Sequence, residues 1–160
     1  MMRFLLLVAA LFATAASAGE VRFPATGSPA VTVKVPDGWS AKEVGGKFQA
    51  VSADGATTAT IAIVPYAGTL DALAAETLGI AGVAPPTEGD RHAISIVDRN
   101  GYWWPLKKTA ADGKSRSVMF CDVMLEDGKA LTGLMLSPDD DGADYHAGLA
   151  MLGRIKLAVP

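Results

Sequence analysis

The chain has 160 residues, half of them hydrophobic, with a formal net charge of −3. That length suits one domain with a sizeable core. The acidic balance, without any basic block, excludes a phosphate-backbone partner such as nucleic acid, and the single cysteine, Cys121, excludes an internal disulfide.

Residues 1–18 read as a signal peptide. Arg3 makes the start positive, residues 4–12 are an apolar run, and Ala16-Ser17-Ala18 is a small-residue cleavage site. The run is too short for a membrane span. Cleavage leaves Gly19 first, and no cysteine stands there to carry a lipid. The expectation is one domain over residues 19–160, periplasmic or secreted, with no membrane span after cleavage.

The stretch 31–39 organises the rest of the chain. Val31, Val33 and Val35 alternate with Thr32 and Lys34, the period of a strand with one buried face. Pro36-Asp37-Gly38 is turn chemistry, and Trp39 brings a large ring back beside that strand. Around this central strand, residues 20–23, 47–52 and 57–64 read as further strands, with Asp54-Gly55 a hairpin signal and Pro65 a stop. Thr69 is an N-cap for a helix whose apolar face is Leu70, Leu73, Ala74, Thr77 and Leu78.

The second half reads as a four-stranded meander. Its strands are 91–97, 102–108, 117–125 and 130–136, with turns at Asn100-Gly101, Asp112-Gly113 and Asp127-Gly128. Tyr145, Gly148, Leu149, Leu152 and Ile155 give a second helix, with Asp144 at its start and Arg154 and Lys156 at its end. The strand from Ser117 is apolar on both faces, with Met119, Cys121 and Val123 on one and Val118 and Phe120 on the other. It therefore wants cover on both sides. The expected class is α+β, in the order strands, helix, strands, helix: an α/β/α sandwich with one central antiparallel sheet and two main helices.

The Val33-Lys-Val-Pro-Asp-Gly-Trp39 turn, the strand meander and the final segment Leu152-Gly-Arg-Ile-Lys156 resemble the PsbP/Mog/DcrB fold group over residues 21–157. The resemblance implies the same sandwich. It also implies binding roles rather than catalysis, since that group includes photosystem accessory proteins, a nuclear-transport regulator, effector chaperones and small envelope proteins. No functional residue carries over from it.

The residues offer little chemistry. Cys121 with His92 or His146 is the one thiol and base combination, but a cysteine inside an apolar strand is usually a small buried hydrophobe. Two lone histidines make a poor zinc site. Asp139-Asp140-Asp141-Gly142 matches half of a calcium loop, yet Gly148 falls where the bidentate Glu belongs. No catalytic, cofactor-binding or metal residue is therefore assigned. Tyr102, Trp103 and Trp104 form the candidate partner-binding cluster, with Tyr102 and Trp104 on one strand face and Trp103 on the other. The competing reading buries both faces.

The functional expectation is a non-enzymatic envelope protein that binds another envelope protein as an accessory, assembly or inhibitory factor. The alternatives are a carrier of a small hydrophobic ligand in a cleft between sheet and helix and, behind it, a hydrolase with an unrecognised site.

Overall fold

The computed structural model describes residues 19–84 and 87–158, so the expected signal peptide lies outside the described residues. The chain runs β1 (Gly19–Phe23), β2 (Val31–Val35), β3 (Ser40–Val44), β4 (Lys47–Val51), β5 (Thr58–Pro65) and α1 (Leu70–Ile80). A 3-10 turn (Glu88–Asp90) leads to β6 (His92–Ile96), β7 (Arg99–Thr109), β8 (Ser115–Met124), β9 (Lys129–Ser137), α2 (Ala143–Gly153) and β10 (Lys156–Leu157).

The strands form two sheets. Seven pair antiparallel in the order β3-β4-β5-β9-β8-β7-β6. β1, β2 and β10 form a second, three-stranded antiparallel sheet with β2 in the middle. This corrects the expected α/β/α sandwich around one sheet: the protein is mostly β, with two sheets and two helices, and its last element is a strand. Val31–Val35 is central, but in the smaller sheet. The layer expected to be helical is shared, because the burial of Val31, Val33 and Val35 comes from laying β2 beside α2 over the large sheet.

β8 explains the layering. Met119, Cys121 and Val123 join the larger core, with Phe48, Ile61, Met135 and Leu152, beneath the small sheet and α2. Val118 and Phe120 face the other way, with Trp104, under Ala74 and Leu78 of α1. Two-sided apolar patterning is what such a strand needs. Thr69 caps α1, its Oγ1 accepting from the Ala72 N–H at 3.3 Å.

The turn after β2 forms as its residues dictate. The Trp39 N–H donates to the Pro36 carbonyl at 3.2 Å, and Gly38 takes φ +78°, which residues bearing a Cβ resist. The expected Asn100-Gly101 turn lies elsewhere. β6 reverses into β7 at Val97-Asp98, with φ of 53° and 59°, and Ile96 pairs with Arg99. Gly101 sits inside β7 for space: a Cβ there would lie 2.1 Å from the Asp122 carbonyl oxygen. β3, absent from the sequence reading, forms an edge of the large sheet.

Candidate functional site

Alternation along β7 divides the aromatic cluster. Trp104 is buried, its ring centroid 5.6 Å from that of Phe120 and 6.0 Å from that of Tyr102. Tyr102 is half-buried on the same face. The Arg91 guanidinium lies 4.4 Å above the Tyr102 ring and donates to both carboxylate oxygens of Asp71 at 2.9 and 2.7 Å. Tyr102 and Trp104 thus lie under α1, with an ion pair to its first turn closing over Tyr102.

Trp103 stands apart on the opposite face. It packs against the larger core yet remains half-buried, and stacks on His92 with centroids 4.6 Å apart and planes at 27°. His92 is exposed on β6, the terminal strand, whose outer edge pairs with no described strand. Tyr102 and Trp103 both pair with β6, and of the three aromatics Trp103 is the one whose ring stacks on a side chain of that terminal strand.

The same register separates the thiol from its candidate base. His92 pairs with Trp103, and Trp103 pairs with Cys121, so a whole strand lies between histidine and cysteine. Two strand spacings are about 9–10 Å. Cys121 is buried, and burial first, then the Asp122 carboxylate, pushes its thiol up to about 12. A thiol so held is not a nucleophile near neutrality. His146 lies exposed on α2 beside Tyr145.

The acidic loop is tied into the fold. Asp139 Oδ1 accepts from the Gly142 N–H at 3.0 Å, and Asp140 pairs with Lys107, which holds its carboxyl below the usual range. Among the described residues, no three His, Cys, Asp or Glu side chains converge as metal ligands.

One residue escaped the sequence reading. Asp122 is fully buried in β8 on the α1 side, between Tyr102 and Thr132 in register. Neither carboxyl oxygen meets a hydrogen-bond partner among the described residues. Burial, reinforced by the Asp71 carboxylate, pushes its pKa up to about 8. The signal was present: an acidic residue of the same parity as Val118 and Phe120 must point inward. Beside α1 runs a groove of about 360 Å³, lined by Leu73, Thr77 and Ile80 of the helix and by Ala62, Val64 and Leu134 of the sheet.

No described helix is long and apolar enough to cross a membrane. No family model and no curated protein matches the chain. Among solved structures it is similar to LpqN, a protein involved in cell envelope biogenesis of Mycobacterium tuberculosis. The match has a TM-score of 0.60 and 16% identity, covering 88% of this chain and 91% of that one. At that identity the likeness is one of fold alone.

Proposed function

We propose that the chain is a non-catalytic accessory protein of the cell envelope that binds another envelope protein along the β6 edge, through Trp103 and His92. The observation that carries this reading is the stacked, part-exposed Trp103–His92 pair beside a strand edge that pairs with no described strand. Such an edge offers backbone donors and acceptors, and an aromatic anchor beside it supplies apolar area. The envelope setting is supported by the fold shared with LpqN and by the signal-like residues 1–18. The resemblance to the PsbP/Mog/DcrB group, whose members mostly bind, points the same way. The buried Cys121 thiol weighs against thiol catalysis.

The test is in vivo photo-crosslinking from position 92, with capture from envelope extracts. A discrete envelope protein should crosslink to the wild type and be lost from folded Trp103→Ala. Equal capture by that variant refutes the reading.

The groove beside α1 favours a second reading, a carrier of a small apolar ligand. Native mass spectrometry of protein from the producing cell separates the two. A bound apolar molecule displaced by Ile80→Asp, with no partner crosslinked from position 92, supports the carrier.

A further inference from the structure

A groove of about 440 Å³ lies where the small sheet, the end of α2 and the β6–β7 turn meet. Lys34, Arg154 and Lys156 line it, and none of the three side chains makes a hydrogen bond or ion pair among the described residues. Every other described arginine is engaged. Arg22 donates to backbone carbonyls, Arg91 to Asp71, Arg99 to Glu126 and Arg116 to Asp112. Among the described arginines, Arg154 alone keeps its fork of donors unused.

The strand register brings these charges together. Lys156 pairs with Thr32 across the small sheet, and Lys34 follows two residues on along the same outer face of β2. Like charges gathered on one sheet face repel. Glu20, opposite Lys34, and Asp98 also line the groove, which leaves three positive groups against two negative ones. The groove thus carries a local positive excess in a chain of net charge −3. The far wall is strained: Val97, β-branched and buried, takes φ 53° where it lines the groove. Strain of this kind clusters at ligand sites.

We propose that this groove binds a phosphoryl group, with Arg154 as the bidentate donor and Lys34 and Lys156 as flanking charges. Donors arriving from the residue just past α2, from β2 and from β10 suit a tetrahedral anion with several oxygens better than a planar carboxylate. Glu20 and Asp98 can then accept from hydroxyl groups elsewhere on the ligand. The phosphoryl group can come from a soluble phosphate ester or from a lipid headgroup.

Titration with inorganic phosphate in chloride buffer, followed by amide NMR, should give saturable shifts at Lys34, Arg154 and Lys156. Arg154→Gln should weaken binding about tenfold or more, and Arg154→Lys, which keeps the charge without the fork, should fall between. Arg154 is exposed, so both variants should keep the wild-type circular dichroism, and Lys34→Gln gives an independent check. A second arm sediments the protein with vesicles of phosphatidylcholine, alone or with phosphatidylglycerol. Binding only to the latter, lost in Arg154→Gln, identifies the lipid headgroup as the source. Phosphate saturation without vesicle binding identifies a soluble ester. The proposal is overturned if neither arm shows a saturable response, or if Arg154→Gln and Lys34→Gln leave the response unchanged.

Discussion

The indole Nε1 of Trp39 donates to Asp144 Oδ1 at 3.0 Å, tying the turn after β2 to the first turn of α2. The ring itself is buried in the larger core. Trp39 therefore joins the small sheet to the helix by packing and by a charge-assisted hydrogen bond.

Trp39→Ala removes both contributions and should cost about 3–5 kcal/mol, a large share of a domain stability of roughly 5–15 kcal/mol. Asp144→Ala, which leaves the ring in place but its N–H unpaired, should cost about 1–3 kcal/mol. Urea melts of both single variants and the double variant measure the coupling. A Trp39→Ala protein as stable as wild type would show that the turn does not anchor the fold.

Asp122 should make stability fall as pH rises. Its carboxyl has a pKa of about 8 in the fold against an ordinary value of 3.8. Between those values the folded state holds a proton that the unfolded state has lost. The contribution is complete below about pH 4 and is lost as pH climbs to about 8. Asp122→Asn should flatten that dependence and gain on wild type by on the order of 2–5 kcal/mol above pH 8. The difference between wild-type and variant urea melts at pH 5, 7 and 9 isolates this group from other carboxylates. A constant difference across the three would contradict the burial argument.

Cys121 should be inert while the protein is folded. Iodoacetamide at pH 8 should label it only in denaturant, because the thiol is buried and its pKa stands near 12. Cys121→Ser, which places a hydroxyl in apolar surroundings, should cost about 1–3 kcal/mol while partner binding by the folded variant is unchanged. Rapid labelling of the native protein, read by intact mass, would refute this.

Gly148 is where α2 comes close to the sheet. A Cβ there would lie 2.3 Å from Met135 Sδ and 3.3 Å from Trp39 Cη2. Gly148→Val should destabilise by about 1–3 kcal/mol or more through overpacking. The loss should be partly recovered in Gly148→Val with Met135→Ala, which opens space on the sheet. Thermal melts of the pair check it, and strictly additive losses would argue against a shared clash.

What the sequence made legible was local. The alternation of Val31, Val33 and Val35, the Thr69 cap and the two-faced strand around Cys121 all stand in the structure. β3 was hidden because Ala41 is its one buried residue, too few for a visible alternation. The second sheet was hidden because β2 takes Lys156 and Leu157 as partners from the far end of the chain. No period in either segment announces that pairing. The parity of Tyr102, Trp103 and Trp104 was readable; that α1 would cover two of them depended on where the helix docks. Asp122 was readable as inward-pointing, but its lack of a partner among the described residues is a property of the packed neighbours.

The pairing of β2 with β10 also sets an order of events. A chain leaving the ribosome N-terminus first exposes the β1–β2 hairpin early, yet one edge of β2 has no neighbour until residue 157 has been made. The large sheet waits as well, since β5 closes against β9 rather than against the strand that comes after it. Long-range closure of this kind slows folding and leaves strand edges exposed meanwhile. Until β10 is made, the small sheet is therefore a two-stranded hairpin with one edge of β2 still open.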